Sequence, residues 1–213
     1  MATTRFHSLT VRQVHSTTRD AIAVTFELPP ELAAAFDYVQ GQYLTLRTTL
    51  DGQEVRRSYS ICSAVQDRRL RVAIKRVGGG LFSNWAAEHL RPGIAIDVMP
   101  PQGQFHLPLE PDARRHVVAF AAGSGITPVL SIVKTTLLAE PHSQVTLVYG
   151  NRMLRSTMFK EELEDLKNRY LTRLVLHLVF SDEHSDSPIN MGFLDREKIG
   201  DLAKNADLSR FIL

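Results

Sequence analysis

The hydrophobic pattern changes period near residue 112, and that change confines the chain to a two-part fold. Before it, short apolar alternations predominate. In "RRLRVAIKR", 68–76, Leu70, Val72 and Ile74 alternate with Arg71, Ala73 and Lys75, the period of a half-buried strand. "SLTVRQVHS", "DAIAVTFEL", "GQYLTLRTT", residues 55–62 and "IAIDVMP" also read as strands. Pro29-Pro30, Gly41, Asp51-Gly52, residues 78–80, Pro92-Gly93 and Pro100-Pro101 punctuate the gaps. Five or six short strands with such punctuation predict an antiparallel barrel or sandwich. One helix interrupts them at 83–90, with Ser83 as its N-cap and Arg91-Pro92-Gly93 as its stop.

Beyond residue 112 the apolar runs become continuous. "HVVAFAAG", 116–123, ends in glycine, as expected for a parallel strand buried on both faces. A helix follows, with Thr127 as N-cap and Pro128 at the first position. "QVTLVYG" is a second buried strand, followed by a charged helix over 158–168 and then "RLVLHLVF". The order β-α-β-α-β is the half-unit of a doubly wound parallel sheet. The boundary falls within "PLEPDARR", 108–115, giving parts at 1–110 and 113–213.

Charge and cysteine content exclude several classes. A formal net charge of +2, with basic pairs scattered between apolar runs, does not suit a nucleic-acid binder. The single cysteine, Cys62, rules out a disulfide framework and an all-cysteine metal site within these residues. Apolar runs such as 117–122 fall well short of the ~18 residues that a membrane span needs. The start "MATTRFHSLT" lacks the apolar core of a secretory signal. A soluble cytoplasmic protein without membrane or nucleic-acid partners is the expectation.

Two glycine-rich loops point to phosphate. In "AAGSGITP", 121–128, Gly123 and Gly125 let a ligand approach the backbone where a helix N-terminus offers free N–H groups. A tight turn without a ligand explains the same glycines, since the full G-x-G-x-x-G pattern is absent. "GGGLFSN", 78–84, repeats the device, and a flexible hairpin loop is its plainer explanation.

Ahead of both in the chain stands "VRRSYSICS", 55–63. On a strand Arg57 and Tyr59 face one side and Ser58 and Ser60 the other, unless a bend re-aims them. A guanidinium pairs with phosphate, a phenol ring stacks on a flat heteroaromatic, and a serine hydroxyl donates to a ring nitrogen. Those groups suit a flavin dinucleotide. A surface arginine, a core tyrosine and an edge serine are the bland alternative.

Arg57-x-Tyr59-Ser60, Gly80-Leu81-Phe82-Ser83 and 123–128 occur in an order and spacing that resembles the ferredoxin–NADP reductase family over nearly the whole chain. That resemblance implies a Greek-key FAD-binding barrel followed by an α/β NAD(P)-binding domain. "FHSLTV", "RSYSIC" and "VYGNR" narrow it to reductase components that pass electrons from NADPH through FAD to a [2Fe–2S] centre. In such systems the acceptor is a di-iron oxygenase complex that epoxidises an aromatic ring. Carried over by position, Arg57 holds the FAD pyrophosphate, with Gly80, Leu81, Phe82 and Ser83 on its other side. Tyr59 stacks on the isoalloxazine, Ser60 hydrogen-bonds near its N5, and Lys75 joins the cofactor-binding set. Gly123, Ser124, Gly125, Thr127 and Pro128 receive the pyridine nucleotide, with Asn151 and Arg152 near its adenosine ribose. Arg155 and Lys160 add charge there.

An arginine at 152 suits a 2′-phosphate and favours NADP(H) over NAD(H), whereas Asp182 in "FSDE" argues the other way. The family's terminal Cys-Gly-Pro motif is missing, as are cluster cysteines. The apolar trio 211–213 reads like an interrupted strand. The chain is therefore expected to hold an FAD domain and most of an NAD(P) domain, with any [2Fe–2S] centre outside it. A stand-alone ferredoxin, flavin or haem-domain reductase of the same family remains an alternative. So does a non-catalytic FAD-binding electron-transfer subunit.

Overall fold

The structure, a computed structural model, describes residues 5–183 and 190–205. The trio 211–213 lies outside them.

Six antiparallel strands form the first part: β1 (His7–Thr18), β2 (Ala21–Phe26), β3 (Tyr43–Leu50), β4 (Gln53–Ser60), β5 (Leu70–Lys75) and β6 (Ala95–Gln102). Their spatial order is β4-β3-β6-β1-β2-β5. The two outer strands of that order meet. Past Ser60 the chain bridges from Ile61 to Val72, and the Cys62 N–H donates to the Arg71 carbonyl at 2.9 Å. This closes the sheet into the Greek-key barrel and leaves β4 and β5 no open edge there.

Period-2 alternation builds the core. Leu9 and Val11, Leu44 and Leu46, Val72 and Ile74, and Ile96 and Val98 are each two residues apart, so each pair shares a face and points inward. Burial of each such side chain contributes about 1.5–3 kcal/mol.

A parallel sheet forms the second part: β7 (His116–Ala122), β8 (Gln144–Asn151) and β9 (Leu174–Phe180), in the order β7-β8-β9. The connecting helices are α2 (Ile126–Ala139) and α3 (Lys160–Arg169), and α4 (Arg196–Asn205) follows β9. Val117, Ala119 and Ala121 of β7 pack with α2 and α3 on one face. Phe120, Val148, Val179 and Leu194 cluster separately. β9 is only half covered, with Val175 exposed.

The seam between the parts is paved with small side chains. Ala21, Ala23, Ala73 and Cys62 of the barrel belong to the core of the second part. Ala23 pairs with Ala73 across β2 and β5, so the polar-facing positions of "DAIAV" are buried under a neighbour rather than wetted. Their small volume lets α2 approach the barrel wall.

Three helix starts differ from the sequence expectation. The barrel helix, α1 (Leu81–His89), begins two residues early, with Gly80 at its N-cap position. Ser83 lies inside its first turn and accepts instead from the Val77 N–H at 3.1 Å. α2 begins at Ile126, directly after a 3-10 turn of residues Gly123–Gly125, so Thr127 and Pro128 are its second and third residues. The missing N–H of Pro128 costs nothing there, because the first four helical N–H groups have no intrahelical partner. α3 starts at Lys160, after Phe159 turns the chain at φ 60°.

Candidate functional site

Two cavities of similar size open beside the seam. The barrel-side cavity has a volume of about 910 Å³ and the second about 880 Å³, both within the range of small-molecule sites.

Arg57, Ser58, Tyr59 and Ser60 of β4 all line the barrel-side cavity, the two faces of the strand together. The alternation expected for 57–60 is overridden because β4 ends at Ser60 and the chain swings across to β5, wrapping the cavity around the strand end. The hydroxyls of Ser58 and Thr45 pair at 3.0 Å. Tyr59 packs 5.7 Å from the ring of Phe82, and burial pushes its phenol up to about 12. It therefore stays neutral across the physiological range.

The opposite wall is the glycine loop with α1. Leu81, Phe82 and Ser83 line the cavity with Val77, Gly78 and Gly80. The loop is braced from inside the helix: besides Ser83, Asn84 Nδ2 donates to the carbonyls of Val77 (3.1 Å) and Gly80 (2.7 Å). Gly79 adopts φ +71°, and a Cβ on Gly80 would lie 2.7 Å from Ser83 Oγ. Glycine is thus needed at 79 for its backbone and at 80 for space.

The second cavity sits at the carboxyl ends of the three parallel strands, where open α/β sheets bind ligands. Ala122 ends β7 and Gly123 and Ser124 follow it, Gly150 and Asn151 end β8 and Arg152 follows, and Ser181 and Asp182 follow β9. Gly123 adopts φ +50°, and its carbonyl accepts from the buried Tyr149 phenol at 2.9 Å. The Thr127 hydroxyl donates to the Ser124 carbonyl at 3.0 Å, tightening the same turn. Ser181 and Asp182 N–H groups donate to the carbonyls of Asn151 and Arg152, joining the ends of β8 and β9. The buried amide nitrogen of Asn151 has no partner among the described residues.

Lys75, Ser124 and Arg152 line both cavities, which therefore share a wall, and Thr127 reaches the barrel-side cavity from α2. Four cations line that barrel-side cavity, Arg57, Lys75, Arg76 and Arg152, and no carboxylate among the described residues does. An anion is the matching occupant.

Of the residues singled out from sequence, Gly125 and Pro128 line neither cavity. Arg155 lines the second. Lys160 lies outside both, 3.0 Å from Glu164 one helical turn away. Sequence reading missed Asp20, Ala73, Arg76, Phe193 and Leu194. Gly150 carried a usable signal, a glycine at a strand end; a Cβ there would meet Leu194 Cδ1 at 2.9 Å.

Comparison with known proteins agrees with this geometry. Residues 8–107 match the Oxidoreductase FAD-binding domain family and residues 120–212 the Oxidoreductase NAD-binding domain family. The chain belongs to the ferredoxin reductase family of FAD- and NAD-binding oxidoreductases. A subunit of 1,2-phenylacetyl-CoA epoxidase from Escherichia coli K12 is 48% identical over 199 residues, 93% of this chain and 56% of that protein. The ferredoxin reductase component of 3-ketosteroid-9-alpha-monooxygenase from Rhodococcus rhodochrous is 40% identical over 171 residues, 79% of this chain and 47% of that protein. The chain thus spans about half the length of these relatives. A mutant ferredoxin-NADP+ reductase from Plasmodium falciparum superposes with a TM-score of 0.80 at 19% identity, covering 98% of this chain and 84% of that one, a likeness of fold. Among the described residues no helix is long and apolar enough to cross a membrane.

Proposed function

We propose that these residues bind FAD in the barrel-side cavity and NAD(P)H in the second, and carry electrons from the nucleotide toward a one-electron acceptor. The observation that carries the reading is the shared wall of Lys75, Ser124 and Arg152, which brings occupants of the two cavities side by side.

The residues fit the two groups. Arg57 and the braced 77–80 loop face each other across a cation-lined cavity, the donor set that a pyrophosphate needs. The half-buried Tyr59 ring offers a stacking face, with Ser60 beside it as hydrogen-bond donor. In the second cavity the turn at Gly123 leaves room at a helix N-terminus, and the unpartnered Asn151 amide offers a donor suited to a ribose hydroxyl. When bound, FAD accepts a hydride from the nicotinamide and releases the electrons singly. The protein is asked for little acid–base work. It must hold the rings in contact and keep them there.

On this reading Arg152 recognises the 2′-phosphate of NADPH, which is preferred to NADH. Cys62 is buried and alone, so these residues hold no iron–sulfur centre, and an iron–sulfur acceptor would lie outside them. The similarity to the epoxidase component from Escherichia coli supports an epoxidase acting on phenylacetyl-CoA as the final recipient. A di-iron centre in that oxygenase and a cytoplasmic setting rest on the family resemblance alone.

Visible spectroscopy tests the reading. The purified chain should retain FAD on desalting, and the flavin should bleach anaerobically with NADPH. A protein that cannot hold FAD removes the assignment of the barrel-side cavity. Retained flavin that neither NADPH nor NADH reduces removes that of the second.

A further inference from the structure

A cluster of charged side chains joins the two parts of the fold outside both cavities. Lys134 of α2 bonds Asp67 of the barrel at 2.7 Å and Glu162 of α3 at 2.9 Å. Arg71 of β5 in turn places one terminal nitrogen 2.8 Å from each oxygen of Glu162. The chain Arg71–Glu162–Lys134–Asp67 therefore crosses the seam twice. Lys134 and Arg71 retain only 14% and 11% of their side-chain exposure, so solvent screens these pairs less than surface ones.

Two further polar contacts lie on the same side of α2. Ser131 Oγ donates to the Ser63 carbonyl at 2.7 Å, and the Val65 N–H donates to Thr135 Oγ1 at 3.2 Å. Residues 127, 131, 134 and 135 are spaced i, i+4, i+7, i+8, so they fall on one helical face. That face touches residues 63–67 at one end and presents Thr127 to the barrel-side cavity at the other. The barrel strands contribute only short side chains to the core they share with α2, Ala21, Ala23 and Ala73, which interlock little with a helix. The polar contacts therefore do much to set its register.

We infer that Lys134, with Ser131, is a positioning residue for the reaction: the dock of α2 on residues 63–67 sets how closely the nucleotide meets the flavin. This rests on the function proposed above. Geometry gives the dock leverage. From 134 to 127 is about 10 Å of helix at about 1.5 Å per residue, so a tilt of roughly 5° moves the Thr127 end by about 1 Å. A misplacement of about 1 Å at a reacting centre costs on the order of 100-fold in rate. Neither Lys134 nor Ser131 lines either cavity, so altering them removes no group that touches a ligand.

The test uses the 213-residue chain loaded with FAD, as wild type, Lys134→Met, Lys134→Arg and Ser131→Ala. Anaerobic flavin reduction is followed against nucleotide concentration, together with FAD retention, nucleotide Kd and the long-wavelength charge-transfer absorbance of the nucleotide–flavin pair. For Lys134→Met the limiting rate should fall roughly 10- to 100-fold with Kd little changed, and the charge-transfer band should weaken. Lys134→Arg should recover most of both, and Ser131→Ala should show a smaller loss of the same kind. Limiting rates and charge-transfer bands like wild type in Lys134→Met and Ser131→Ala, with FAD held, overturn the inference. Should Lys134→Met fail to fold, Ser131→Ala alone decides. A wild type that no pyridine nucleotide bleaches instead overturns the proposed function, and the inference with it.

Discussion

The ammonium of Lys75 lies 3.6 Å from the Asp20 carboxylate, at the wall shared by the two cavities. Burial works to raise the Asp20 carboxyl, but the Thr18 hydroxyl and Lys75 outweigh it and hold the group below the usual carboxylate range. Asp20 is therefore charged at neutral pH and competes with any phosphate for Lys75. Replacing Asp20 with Asn should tighten nucleotide binding, and since exposed pairs are worth about 0.2–1 kcal/mol, the gain should be no more than about fivefold. Titration of the nucleotide at two salt concentrations checks this. Weaker binding by the variant would mean that Asp20 contacts the ligand itself.

Ser60→Ala should retain FAD and slow its anaerobic reduction by about tenfold, the scale of one lost hydrogen bond to a charge-developing group. Equal rates would remove the role given to that hydroxyl. Tyr59 separates ring from phenol. Its hydroxyl stays protonated up to about 12, so Tyr59→Phe should behave like wild type between pH 6 and 9. Tyr59→Ala, lacking a stacking face, should lose FAD on desalting.

How far these sites were legible in sequence depends on range. Arg57, Tyr59 and Ser60, the glycines at 78–80 and Gly123 were readable because each sits where a strand ends or a helix begins, a local signal. The strands β1 to β9 were foreseen for the same reason, their period being written in consecutive residues. Helix starts were misplaced because Ser83 and Thr127 have the chemistry of caps but are spent on other bonds, to Val77 and Ser124. Asp20, Arg76 and the Lys134–Asp67 pair left no local trace. Their partners come together only after the barrel closes and α2 packs on it.

On the proposed function, nucleotide choice would turn on two residues facing the second cavity with opposite charge. Arg152 and Asp182 both line it, tied through the bond from the Asp182 N–H to the Arg152 carbonyl. Arg152→Ala should weaken NADPH about tenfold more than NADH, because a phosphate contact from arginine is charge-assisted. Asp182→Asn should act the other way, improving NADPH relative to NADH. Paired KM measurements with both nucleotides decide it, and equal effects on the two would remove the 2′-phosphate from the vicinity of Arg152.

Glu140 closes the linker between the two parts and should make stability depend on pH. Its side chain is fully buried, Arg115 Nε donates to it at 3.0 Å, and the Glu110 N–H donates at 3.1 Å. Burial alone would raise its carboxyl, but Arg115, Ser143 and the Glu110 N–H together hold it below the ordinary value. A carboxylate depressed in the folded state gives stability that is fully present above its unfolded pKa and is lost as pH falls through the folded one. Glu140→Gln should therefore cost on the order of 3 kcal/mol at pH 7, since it leaves Arg115 without its buried partner. Below the ordinary glutamate value of about 4.3 the gap should narrow, because the unfolded wild-type chain then takes up a proton that folded Glu140 still refuses. Denaturant melts of both proteins at about pH 7 and about pH 3 measure this difference. A cost that stays the same at the two pH values would show that Glu140 acts through packing rather than charge.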